Sequence, residues 1–179
     1  MGYSEVRLIG ADGITDDEAA QTATLLHDLV SAGAALGWVE PPSPPEVHRL
    51  LESVASGIPS GDAALALATT ATGEVTGVGY WRRYDRPTHR VNADLEKLAV
   101  SPAAQGEGLG RTLLTTLVAA ALHQNIETLT LDLRGDNTRA AALYESAGFT
   151  RYGTLNAFVA VGDERYDKLL YSLDLRAAG

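Results

Sequence analysis

Residues 96–111 read Glu-Lys-Leu-Ala-Val-Ser-Pro-Ala-Ala-Gln-Gly-Glu-Gly-Leu-Gly-Arg. An apolar strand through Leu98 and Val100 breaks at Pro102. It passes into a glycine-rich turn at Gly106, Gly108 and Gly110, and a helix begins near Leu109. Such a turn aims unpaired backbone N–H groups outward from a helix N-terminus. That arrangement suits an anion, above all a phosphate or pyrophosphate.

Around this segment lies a chain of 179 residues, a length that predicts one domain spanning 1–179. With 45% apolar and 21% charged residues the composition is that of a globular protein. A net charge of −9 repels nucleic-acid phosphates and argues against a nucleic-acid partner, while favouring a cationic or amine substrate. The absence of cysteine removes disulfides, a cysteine nucleophile and thiolate metal sites. Residues 1–10 carry Glu5 and Arg7 and show no signal-peptide pattern, and no apolar run is long enough for a bilayer. A cytoplasmic location without membrane attachment is expected. The four histidines show no metal-like spacing, so no metal is expected.

Periodicity supplies the element order. A short strand around Val6, Leu8 and Ile9 precedes a helix from about Asp17 to Ala34, capped by Thr15 or Asp16. Pro41-Pro42-Ser43-Pro44-Pro45 reads as a stiff connector into a second helix over 45–56. Strands are predicted over 64–69, 75–84 and 91–100, then the main helix from Leu109, a strand over 128–133 and a helix over 137–147 stopped by Gly148. Two final strands cover 150–161 and 165–175. The order β-α-α-β-β-β-α-β-α-β-β predicts an α/β (α+β) fold, with a mixed, mostly antiparallel sheet of about seven strands and helices on both faces.

Three nucleotide motifs compete for the glycine turn. Walker A fails because Gln occupies position 105 and Arg111 follows Gly110; the G-x-G-x-x-G fingerprint fails because its third glycine would fall at Arg111 or Leu113. The stretch Gln105-Gly106-Glu107-Gly108-Leu109-Gly110 instead fits Q/R-x-x-G-x-G/A. It strongly resembles the acetyl-CoA-binding segment of the GNAT superfamily of N-acetyltransferases. A second block, Asn137 to Phe149, resembles the N-x-x-A-x-x-L-Y-x-x-x-G-F signature of the same superfamily.

The resemblance implies acetyl-CoA as cosubstrate. The pyrophosphate would rest on Gln105, Gly106, Glu107, Gly108, Leu109, Gly110 and Arg111. The pantetheine arm would lie along Leu98, Ala99 and Val100 where the fourth strand splays from the fifth, and Asn137 would cap the later helix and reach the cofactor. Tyr144 matches the tyrosine that protonates the leaving thiolate. A protonated amine cannot attack a thioester, so a base is required. Glu96 is the first choice and Asp94 the second, with Asp132 a weaker candidate. Strand alternation places Asp94 and Glu96 on one face with Leu98 and Val100.

Trp38 and Trp81, with Glu96, are candidates for the acceptor site; simple core packing is the competing reading of the tryptophans. Residues 32–38, 91–111 and 152–155 are similar, more loosely, to the tabtoxin-resistance acetyltransferases. That likeness implies a small-molecule amine acceptor and a detoxification role. Acetylation of a protein N-terminus or lysine, and a non-catalytic CoA-binding sensor, remain open alternatives. Many members of the superfamily pair through late strands, which makes a homodimer possible.

Overall fold

A computed structural model describes residues 5–176. The elements are β1 (Glu5–Leu8), α1 (Asp16–Ser31), α2 (Pro44–Ser56), β2 (Ala63–Thr69), β3 (Val75–Arg83), β4 (Asn92–Val100), α3 (Leu109–His123), β5 (Thr128–Arg134), α4 (Thr138–Ser146), β6 (Thr150–Val161) and β7 (Glu164–Asp174). The seven strands form one sheet in the order β1-β2-β3-β4-β5-β7-β6. Every neighbouring pair is antiparallel except β4 and β5. The expected order and sheet are therefore observed.

Local chemistry sets the helix boundaries. Thr15 caps α1, accepting from the Glu18 backbone N–H while the Glu18 carboxylate accepts from the Thr15 N–H. The helix stops at Ser31, short of the expected Ala34, as the chain turns through Gly33. Ser43 and Glu46 repeat the capping box on α2. Pro44 and Pro45 occupy its first turn, where a missing N–H costs nothing, so half of the proline run is helix rather than connector.

Each face of the sheet is covered. Leu65, Leu67, Val78 and Tyr80 point to α1 and α2 and meet Leu26, Val47, Leu51 and Val54. The alternate residues Ala64, Ala66, Ala68 and Trp81 point to α3 and meet Leu113, Leu114 and Leu117. Apart from Trp81, the α3 face of β2 and β3 is built from alanine and glycine, so the helix lies close. A Cβ on Gly79 would stand 2.8 Å from Leu98 Cδ1 and 3.0 Å from Leu117 Cδ1.

Two irregularities open the sheet. Val78 pairs with Ala99 and Tyr80 with Glu96, so Gly79 alone faces Lys97 and Leu98. This is a bulge, with Lys97 in the left-handed region at φ +51°. On the other edge of β4, pairing with β5 runs only from Asn92↔Thr128 to Asp94↔Thr130, before the bulge. Beyond these residues the strands part, and the splay expected from the family resemblance is present.

Gly79→Ala is expected to lower unfolding free energy by about 1–3 kcal/mol through overpacking against Leu98 and Leu117. Urea denaturation measures this, and an unchanged midpoint would contradict the close approach of α3.

Candidate active site

The splay leaves a cleft in two continuous parts. One, of about 520 Å³, is lined by Leu98, Ala99 and Val100 of β4, the glycine turn, the start of α3 and the start of α4. The other, of about 340 Å³, lies between the α1–α2 loop (35–39), β4, β5, Tyr144 and residues 159–161 of β6. Leu36, Leu98, Arg134, Asn137 and Ala140 line both.

The larger part ends in an anion cradle. Gly106 and Gly108 hold φ of +90° and +81°, conformations costly for other residues, and nothing lies within 4 Å of a Cβ on either. Gly108 caps α3, so the first N–H groups of that helix point into the cleft. Of the segment Gln105–Arg111, every residue except Glu107 lines this cavity; the exposed Glu107 does not. Gln105 itself is fixed, donating to Val100 O at 3.1 Å and accepting from Arg139.

Arg134 and Arg139 also line the cavity; Arg139 adds to the cationic rim begun by Arg111, whereas the Arg134 guanidinium is paired with Asp136 of the same wall. Sequence reasoning missed both, although Arg139 lies inside the Asn137–Phe149 block. Asn137 caps α4, accepting from Ala140 N–H at 3.2 Å, and lines both parts of the cleft.

The smaller part carries the acid groups, and the bulge rearranges them. Ala93 and Leu95 pack on the α3 side of the sheet, and after the bulge so do Leu98 and Val100, while Ala99 packs on the α1–α2 side. Asp94 and Glu96 therefore occupy the face opposite Leu98 and Val100. The shared face expected from alternation is wrong because the extra residue at Lys97 reverses the phase of the strand.

The two carboxylates differ in their partners. Glu96 accepts from Arg82 at 3.0 Å and from Tyr80 OH at 3.1 Å, so a cation already answers its charge. Asp132 is likewise paired, with Lys168 at 2.9 Å. Among the described residues Asp94 accepts only from hydroxyls, Thr130 at 2.5 Å and Tyr84 at 3.4 Å. Burial lifts its pKa above the ordinary aspartate range; the Thr130 hydrogen bond opposes this, and the charges of Glu96 and Asp132 add to it. Thr130 and Tyr84 carry no motif signal, since their roles arise from strand pairing.

Tyr144 lies on α4 against Phe149, edge to face, with ring centres 5.6 Å apart. Only 8% of it is exposed, yet its hydroxyl bonds to no described residue and belongs to the cleft lining. Burial pushes its pKa up and keeps the phenol protonated.

The tryptophans separate. Trp38 lines the smaller cavity, beside Lys97. Trp81 does not belong to a binding wall. It is fully buried under α3 and donates from Nε1 to Leu117 O at 3.0 Å, which satisfies its polar atom inside the core. Strand alternation from Tyr80 could have revealed this.

The chain has relatives of known name. The model of the Acetyltransferase (GNAT) family matches residues 34–149. The [Ribosomal protein bS18]-alanine N-acetyltransferase of Escherichia coli K12 is 36% identical over 83 residues, 46% of this chain and 56% of that protein. A mycothiol acetyltransferase of Renibacterium salmoninarum is 30% identical over 91 residues, 50% of this chain and 27% of that protein. The chain thus spans about half the length of the first of these curated relatives and about a quarter of the second. A phosphinothricin acetyltransferase from Sinorhizobium meliloti, solved in complex with acetyl-CoA, superimposes with a TM-score of 0.80. The superposition covers 96% of this chain and 88% of that one at 19% identity, a likeness of fold.

A buried carboxylate without a cation destabilises the folded state once ionised. Asp94→Asn, which keeps an acceptor for Thr130, is expected to raise Tm at pH 7 by roughly 2 °C. Because the folded pKa is raised, the gain exists above it and shrinks as pH falls through it. Thermal unfolding at pH 7 and pH 4 tests this, and an equal or lower Tm at pH 7 would contradict it.

Proposed function

The chain belongs to the Acetyltransferase (GNAT) family, and from that membership we propose that it transfers an acetyl group from acetyl-CoA to a primary amine of a small molecule. The observation that carries this reading is the continuous cleft, which joins the glycine cradle to a pocket bearing a buried carboxylate without a cation and a phenol without a hydrogen-bond partner among the described residues. On this reading the protein is a cytoplasmic enzyme of one domain; among the described residues no helix is long and apolar enough to cross a membrane. Tyr152, Leu155 and Phe158 are exposed on the edge strand β6, which supports pairing of two copies there.

Acetyl-CoA fits the residues present. Its pyrophosphate suits the open cradle of Gly106 and Gly108 with Arg111, and Arg139 on the rim suits its further phosphate. Its peptide-like arm suits the unpaired edge of β4 from Leu98 to Val100. When bound, it supplies an activated acyl group.

The residues then divide the proton work. Asp94 takes a proton from the incoming ammonium, which frees the nitrogen lone pair. As the N–C bond forms and the C–S bond breaks, the Tyr144 hydroxyl would give its proton to the departing sulfur, and the second proton shed by the acylated nitrogen would return to the phenolate oxygen. Glu96, held by Arg82 and Tyr80, orients the amine. Support for Asp94 as the base, ahead of Glu96, comes from its raised pKa and its lack of a cationic partner. A base works best when its pKa approaches the working pH.

A small acceptor is supported by the modest volume of the pocket and by its cover, the α1–α2 loop on one side and β6 residues 159–161 on the other. One observation favours a second reading, the N-terminus of a protein: the named E. coli relative acts on a ribosomal protein alanine.

Thiol release from acetyl-CoA, followed with a panel of amino acids, polyamines, aminoglycosides and alanine-initiated peptides, tests the proposal. Turnover with small amines is expected. Turnover with the peptides alone would move the assignment to the second reading, and tight CoA binding without turnover to a sensor. Tyr144→Phe and Asp94→Asn are each expected to lower kcat by about 10²-fold or more. The acidic limb of kcat/KM should lie above the ordinary aspartate value of about 3.9 and vanish in Asp94→Asn. A larger loss in Glu96→Gln than in Asp94→Asn would return the base to Glu96.

A further inference from the structure

The loop over 35–39 lines both parts of the cleft, yet it belongs to no helix or strand. Its own backbone bond, Leu36 N–H to Ala34 O, is local. Among the described residues, a single hydrogen bond joins it to the sheet: Lys97 Nζ donates to Leu36 O at 2.8 Å. The same ammonium sits 4.1 Å from the centre of the Trp38 ring. Gly37, between these two contacts, turns at φ +84°, and a Cβ there would stand 3.3 Å from Nζ. One side chain thus holds the loop at Leu36 and at Trp38, on either side of Gly37.

The bulge explains why Lys97 can reach them. In an uninterrupted strand, residue 97 would follow Ala93 and Leu95 into the α3 core, where an ammonium is costly. The left-handed conformation at Lys97 hands that place to Leu98 and turns the lysine into the cleft lining. The residue that reverses the phase of the strand is also the residue that holds the loop.

We propose that Lys97 is a positioning residue that clamps the α1–α2 loop over Asp94 and Glu96 and thereby sets the size of acceptor the pocket admits. The proposal rests on the reading of this pocket as the acceptor site. Lys97 does not touch the reacting atoms; it acts through Leu36 and Trp38. The ammonium is directed to a carbonyl and an aromatic face, so Lys97 forms no ion pair with Asp94.

The test compares wild type with Lys97→Met, which keeps the stem but removes the charge and donor, and Lys97→Arg, which keeps both. Acrylamide quenching of tryptophan emission without substrates reports on Trp38, because Trp81 is fully buried. Lys97→Met is expected to about double the quenching and raise KM for the amine about tenfold, with kcat changed less than about twofold. Lys97→Arg should restore most of both. Bulkier amines should lose less in Lys97→Met than small ones.

Gly37→Ala disturbs the same grip from the loop side and should move quenching and KM in the same direction, should Lys97→Met not fold. Unchanged quenching in both variants, or a fall in kcat with KM unaltered, would overturn the proposal. Should wild type acetylate no amine, the acetyltransferase reading falls separately, and quenching alone decides the clamp.

Discussion

The bulge in β4 is the constraint on which the rest depends. Two residues, Lys97 and Leu98, stand opposite Gly79, and the extra residue reverses the phase of the strand. Before it, Asp94 and Glu96 look toward α1 and α2; after it, Leu98 and Val100 pack toward α3. The same strand thereby carries acid groups on one side of the cleft and an apolar, unpaired edge beside the other. A regular strand would place Lys97 in the core and leave the α1–α2 loop without its link to the sheet. Strain at one residue is tolerated because the close packing of Leu98 in the gap at Gly79 over-determines it.

The parting of β4 and β5 completes the arrangement. Parallel pairing survives for three residues and then stops. The freed backbone would be expensive in a closed core, so it must face a ligand or water. Small residues on β2 and β3 let α3 lie close, which aims the N-terminus of α3 at the end of the gap. Anion cradle, open strand edge and carboxylate pocket are consequences of one sheet that fails to close.

Charge distribution within the pocket sets one carboxylate apart from the other two. Glu96 has Arg82 and Asp132 has Lys168, while Asp94 has only hydroxyls. Lys97, close by in the chain, is directed to a carbonyl and a ring instead. The net −9 of the chain says nothing of this; the pattern is set by which strands pair and in which register.

Much was legible before any coordinates. The glycine turn, the Asn137–Phe149 block and the alternation of apolar residues are local signals, because caps, turns and periodicity depend on neighbours in the chain. They were enough for the element order, the mixed sheet, the cradle and the place of Tyr144. The different partners of Asp94 and Glu96, the burial of Trp81, the arginines lining the cleft and the contacts of Lys97 were not legible. A bulge cancels the two-residue period on which facing is read, and its one hint was a lysine where alternation demanded an apolar side chain. Partners such as Arg82, Thr130 and Leu36 come from other strands and loops. Only the tertiary structure decides which side chains share a low-dielectric pocket, and burial with or without a counter-charge is what distinguishes one carboxylate from another.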